Sequence, residues 1–347
     1  MSHFVRSTCM KVTAGLIFLL LLQPACAQYN FSKLDELLGQ NQKVLGNNAV
    51  ALIYRNGSLI YQKQLGDFSP DTQEQIASCS KWLTAALVMT FIDEGRLSLD
   101  DKVSTYLPIF AKYGKGYITI RECLSHTTGI QGDHPGLMGI LKLSRYHSLE
   151  DEVNDFASKN EIEANPGTEF SYSSIGLNIA GRILEVISRK PFDQLMLQRI
   201  FRPLGMKNST FSSERAVNPS GGARSTATDY MKFLEMILNQ GMYQGKRILS
   251  VNAIREMETT QTSLQMIRYA PKVASGYNYA LGEWVEETDG AGNATTVTSP
   301  GLFGTWPLVD LKRKYAAIFF VKSLLSDSKR EVYLAAKTII DEQIDRN

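Results

Sequence analysis

Histidine and cysteine are scarce in this chain, with four of each in 347 residues. Beyond residue 27 the histidines are His126, His134 and His147, at spacings that no single helix face would gather. Cys123 and His126 lie three apart but no second His/Cys pair accompanies them at a ligand spacing of the usual kind, so no metal is expected and no cofactor is implied. There is no Gly-x-Ser-x-Gly elbow, which argues against an α/β-hydrolase triad. Excess charge is lacking too. The 37 basic residues face 35 acidic ones, and two of the basic ones, Arg6 and Lys11, fall in the leader. A neutral mature chain offers no footing for nucleic acid as a partner. After the leader no apolar run is long enough to span a membrane, and no internal repeat or low-complexity segment occurs.

Residues 1–27 read as a cleaved export signal. Arg6 and Lys11 form its charged start, Val12 to Leu22 its apolar core, and Ala25-Cys26-Ala27 a small-x-small cleavage site before Gln28. The mature protein is therefore expected in the periplasm or outside the cell. Acylation of Cys26 as a lipoprotein is the weaker alternative, because Gln23-Pro24 sits where small or aliphatic residues belong. Cleavage leaves Cys79 and Cys123, which read as two small buried thiols rather than a disulfide.

Residues 28–347 exceed the length, about 250 to 300, at which one core tends to divide into lobes. Ala49 to Tyr54 and Leu59 to Tyr61 flank Asn56-Gly57, the strongest hairpin signal. A buried helix follows Ser78 and should stop near Gly95. From about Leu97 to Phe211 the pattern is mostly helical, including Ser173 to Arg189 and Phe192 to Phe201. Thr226 to Gln240 is a helix headed by a cap signal. Tyr277 to Val285, Ala294 to Thr298, Leu302 to Val309 and Tyr315 to Val321 read as strands, and Ser328 to Asp345 as a closing helix. Strands at both ends around a helical insertion predict one α/β domain of the α+β type. Its sheet lobe is about 28–75 and 215–347, its all-helical lobe about 76–214, with a pocket at the seam.

Ser78-Cys79-Ser80-Lys81 opens the apolar stretch Trp82 to Met89. Positions i and i+3 share a helical face, so the Lys81 amine can lie beside the Ser78 hydroxyl. A serine hydroxyl needs a base to act as nucleophile, and a dry site at a helix N-terminus lowers a lysine pKa enough to supply one. The spacing alone is weak evidence, since Ser326-Asp327-Ser328-Lys329 fits it as well and reads as a solvated helix cap. Pro166 to Ser174 is a turn that presents Tyr172 just before a helix. Near a cationic lysine its phenol can lose a proton more easily and relay it between nucleophile and leaving group; otherwise it is an aromatic anchor for the loop. Ser299-Pro300-Gly301-Leu302 sits on a late strand, where a glycine admits a substrate backbone or simply bends the strand.

In that order the three elements resemble Ser-x-x-Lys, Tyr-x-Asn and Lys/His-x-Gly of the serine β-lactamase and penicillin-binding protein superfamily. The class C β-lactamase, D-Ala-D-Ala carboxypeptidase and family VIII esterase branch is the most similar. Ile118 to Ile130 and Ser220 to Ala227 fit it too, and the likeness runs from about Asn48 to Val321. The resemblance implies the β-lactamase/transpeptidase-like fold, an antiparallel sheet flanked by helices plus the helical lobe. It implies Ser78 as the acylated nucleophile, Lys81 and Tyr172 as managers of its proton, and the N–H groups of Ser78 and Leu302 as an oxyanion hole, with Gly301 admitting the substrate. The substrate would be a small molecule or a cell-wall peptide.

Two positions depart from the pattern. Ser174 replaces an asparagine that in relatives helps hold the lysine and a substrate amide, and Ser299 replaces a cation that receives a substrate carboxylate. Ester hydrolysis thereby gains on β-lactam or D-Ala-peptide chemistry. A protein that acylates without efficient turnover, as a penicillin sensor does, is the competing class.

Overall fold

The computed structural model describes Met1 and residues 29–132 and 145–346. The expected export signal, Met1 aside, and His134 lie outside the described residues.

Seven strands form one antiparallel sheet. Their order across it is Ser58–Leu65, Ala49–Arg55, Tyr315–Val321, Trp306–Asp310, Ala294–Thr298, Trp284–Thr288 and Asn278–Tyr279. The first hairpin closes as its sequence requires. Asn56 and Gly57 both take positive φ, 51° and 82°, so the turn matches the twist of the paired strands. Tyr315–Val321 is buried along its whole length because both sheet faces are covered. Ile318 and Phe320 point toward the helical side with Val50 and Leu52. Ala317 and Phe319 point the other way, under Leu34 and Leu38 of the helix Ser32–Gln40 and Val332, Tyr333, Ala336 and Ile340 of the tail helix Asp327–Asp345.

The helix Cys79–Asp93 is apolar on all sides and packed on all sides, buried from Cys79 through Phe91. Its core runs unbroken from Val50 and Phe320 of the sheet to Leu177, Ile183 and Phe201 of the helical segment. Two strands are shorter than their patterns suggest. The stretch 277–285 is split because Gly282 turns at φ +82° to press on the helix Cys79–Asp93, where a Cβ would stand 2.8 Å from the Lys81 carbonyl. Residues 302–305 form a turn, and the strand begins only at Trp306. Cys79 and Cys123 are free and buried.

Candidate active site

Ser78 stands at the head of the helix Cys79–Asp93 with φ −62° and ψ −14°, already helical, and its hydroxyl makes no capping bond. The chain reaches it through Ala77 at φ +44°, a left-handed conformation that costs a residue with a Cβ about 1–2 kcal/mol. Neighbours hold that turn in place. Ile76 donates its N–H to the Ala223 carbonyl at 3.0 Å, Ser80 Oγ accepts from the Ala223 N–H at 3.0 Å, and Tyr230 donates to the Cys79 carbonyl at 2.8 Å. Ser78, its hydroxyl spared from capping, is half-buried.

Lys81 is 4 % exposed. Its Nζ lies 3.2 Å from Ser78 Oγ and donates to the Ser220 carbonyl at 2.9 Å. Burial pushes its pKa down to about 7, so near neutrality a large share of the amine is uncharged and able to accept a proton. Tyr172 closes the group. Its phenol is hydrogen-bonded to Ser78, and the Lys81 Nζ sits 4.7 Å from the centre of its ring. The ring is wedged among His126, Trp284 and Tyr279, with centroids 4.6, 5.2 and 6.0 Å away. The sequence suggested an acidified phenol, and the structure corrects this. Burial raises the Tyr172 pKa, outweighing the hydrogen bond from Ser78, so the phenol keeps its proton and is poised as an acid rather than a base.

Ser174 precedes the helix Ile175–Ser188 and makes no capping bond. It does not hold Lys81, whose partners are Ser78 and the Ser220 carbonyl. The fixing asparagine instead sits one turn further on. Asn178 is fully buried; its Oδ1 accepts from the Ser220 N–H at 3.0 Å and its Nδ2 donates to Glu152 Oε2 at 3.1 Å. Burial raises the Glu152 pKa to about 7. The line Glu152, Asn178, Ser220, Lys81 was not foreseen. An asparagine inside the apolar pattern of residues 175–188 was its one visible signal.

His126 is likewise more than a helix end. At φ +57° it turns its ring under Tyr172, with Nε2 3.1 Å from the Tyr279 hydroxyl and Nδ1 accepting from the Ser173 N–H at 3.4 Å. Burial first, then the Lys81 charge, keeps it neutral. Ser299 is 2 % exposed, and its hydroxyl is within reach of the Ser78 and Gly282 carbonyls at 3.3 and 3.4 Å. It braces residue 299 against the helix Cys79–Asp93 and brings no cation beside Ser78.

Gly301 is a glycine for packing. A Cβ there would stand 2.3 Å from the Ile76 carbonyl oxygen and 3.1 Å from Cys79 Sγ, so the bare face meets the turn that leads into Ser78 rather than open space for substrate. The Gly301 carbonyl accepts from the Gly304 N–H at 2.9 Å, and a planar trans peptide then sends the Leu302 N–H the opposite way. Leu302 is partly exposed. Among the described residues no His/Cys/Asp/Glu group of three or more is placed to hold a metal. No helix there is long and apolar enough to cross a membrane.

The profile of the Beta-lactamase family matches residues 34–338. The chain belongs to the β-lactamase family. It is 26 % identical over 230 residues to the D-alanyl-D-alanine-carboxypeptidase/endopeptidase AmpH of Escherichia coli K12, covering 57 % of this chain and 60 % of AmpH. With penicillin-binding protein 4 of Amycolatopsis lactamdurans it shares 29 % over 247 residues, 62 % of this chain and 64 % of that one. It thus spans somewhat under two thirds of these relatives. A protein from Bacteroides dorei, solved as a candidate β-lactamase, superposes with a TM-score of 0.82 at 28 % identity over 91 % of this chain and 99 % of its own. The antiparallel sheet flanked by helices is thus the family's fold.

Proposed function

We propose that the protein is a serine hydrolase that works through an acyl-enzyme on Ser78 and favours esters that carry no carboxylate near the scissile bond. The observation that carries this is the Lys81 amine, buried, brought near pKa 7 and 3.2 Å from a serine oxygen that caps nothing. Neutral Lys81 takes the Ser78 proton as Oγ attacks the carbonyl carbon. The tetrahedral oxyanion is met by the Ser78 and Leu302 N–H groups. As the bond to the leaving group breaks, the protonated Tyr172 phenol gives its hydrogen to the departing oxygen, and the Lys81 ammonium restores it. Lys81 returns to its neutral form, ready to draw a proton from the water that releases the acid. The lack of a cation at Ser299 is what favours esters over β-lactams or D-Ala peptides, although AmpH is a carboxypeptidase by name. Export, with removal of the leader, would place this activity outside the cytoplasm on small or cell-wall-derived substrates.

The test is hydrolysis of short-chain p-nitrophenyl esters, a chromogenic cephalosporin and a D-Ala-D-Ala peptide by the parent and by Ser78→Ala. Ester turnover that vanishes in the variant is expected, and a variant as active as the parent refutes the proposal. Intact-mass measurement after mixing with a β-lactam decides the competing class: a permanent stoichiometric adduct on Ser78, without ester turnover, would make the protein a sensor.

A further inference from the structure

The second Ser-x-x-Lys, Ser326 to Lys329, heads the tail helix, and its lysine is buried, 7 % exposed. Its stem is covered, and its part-buried ammonium donates to one backbone acceptor among the described residues, the Leu324 carbonyl at 2.8 Å. Core packing gives no reason for such a group where a methionine would fill the same space. The segment it holds supplies one. Three consecutive carbonyls of the turn beside the nucleophile are each taken by a donor from this region. Leu325 N–H donates to Leu302 O at 2.7 Å, Ser323 N–H to Phe303 O at 2.9 Å, and the Tyr333 hydroxyl to Gly304 O at 2.8 Å. Tyr333 is 1 % exposed, and a Cβ on Gly304 would lie 3.5 Å from Lys329 Cδ, so lysine and tyrosine close on the turn together. The turn's own bonds, Gly301 N–H to Thr305 O at 2.8 Å and Gly304 N–H to Gly301 O at 2.9 Å, complete a loop with little freedom.

We infer that Lys329 and Tyr333 are positioning residues that hold the 302–304 turn so that the Leu302 N–H stays aimed at the oxygen that becomes negative during acyl transfer. This rests on the acyl-enzyme reading of the site. Hydrogen bonds to an oxyanion act through preorganisation, so a small loosening of the donor weakens the transition state while leaving ground-state binding almost untouched. Neither residue touches substrate. Their effect passes through Leu324 and Leu325 in one case and through Gly304 in the other.

The experiment compares the parent with Tyr333→Phe and Lys329→Met, two variants that keep bulk and remove only the donors. Active sites are counted by fluorophosphonate labelling of Ser78, so that loss of folded protein does not register as loss of rate. Each variant should lose roughly tenfold in kcat per labelled site, less than the 10²–10³ that follows deletion of an oxyanion donor. KM should move by less than about twofold, and affinity for a boronic acid that mimics the tetrahedral state should fall by the same factor as kcat. Affinity for the product carboxylic acid should stay. If both variants keep the parent's kcat, or if KM rises while kcat holds, the positioning role is overturned. A parent that turns over esters without Ser78 overturns the proposed function itself, whereas a Ser78-dependent parent indifferent to both variants overturns only the brace.

Discussion

Two Ser-x-x-Lys tetrads in one chain, each at the head of a helix, have opposite fates. Ser326 takes extended angles, φ −142° and ψ 166°, and its hydroxyl caps the tail helix by accepting the Lys329 N–H at 3.3 Å. Ser78 takes helical angles after the left-handed Ala77, caps nothing, and leaves its oxygen to the Lys81 amine. A cap hydroxyl is committed to backbone and cannot also be a nucleophile. The lysines differ in the same manner: Lys81 points back along the helix to its own serine, while Lys329 reaches a loop carbonyl. Backbone angles at one residue, rather than the four-residue pattern, therefore separate the pair proposed to react from the structural one.

The comparison is most sharply broken at the lysines. Lys81→Ala removes the base and should cost roughly a thousandfold in kcat/KM for an ester, against the tenfold or so set by the brace for Lys329. Equal losses at the two positions would deny Lys81 any special role. A milder test uses pH. Lys81 must be neutral to act, and its pKa of about 7 lies below the ordinary 10.5, so kcat/KM should rise about tenfold per pH unit below 7 and level off above it. A midpoint near 10 would show an amine that burial has not changed. Tyr172 keeps its proton throughout that range and adds no second limb.

Much of this arrangement can be read from the chain before any coordinates. Asn56-Gly57 fixes the first hairpin through local φ alone, and the spacing from Ser78 to Lys81 reflects a helical turn. What could not be read depends on distant segments. Ser220, the residue that takes the Lys81 hydrogen bond, is 139 positions away, and Glu152 meets Asn178 across 26. The protonation of Tyr172 was misjudged because a neighbouring charge is visible in sequence, whereas burial among His126, Trp284 and Tyr279 is not. Gly282 broke a strand pattern for the same reason, since its requirement comes from a helix packed against it.

The lysines also predict a difference in stability. Between pH 7 and 10.5 the unfolded chain binds a proton at Lys81 that the folded chain refuses, so stability contributed there is present above pH 10.5 and is lost as pH falls toward 7. Lys81→Met should therefore stabilise the protein at pH 7, by about 1–4 kcal/mol if it behaves as other replacements of buried charge do. The gain should shrink at pH 9.5 in urea unfolding. No gain at pH 7 would mean that the ammonium is well solvated where it sits.

The smallest effect isolates the caps. Ser326→Ala removes an acceptor from the first turn of a long helix and should cost about 1 kcal/mol, read as a lower urea midpoint at unchanged slope. Ser78→Ala removes no cap and creates no orphaned backbone N–H, so its midpoint should fall by less than that of Ser326→Ala even though Lys81 and Tyr172 each lose a partner. It could even rise, because an alanine in helical geometry is the better helix former. If Ser78→Ala instead destabilised as much as Ser326→Ala, the two hydroxyls would be performing the same structural task, and the difference drawn from their backbone angles would be lost.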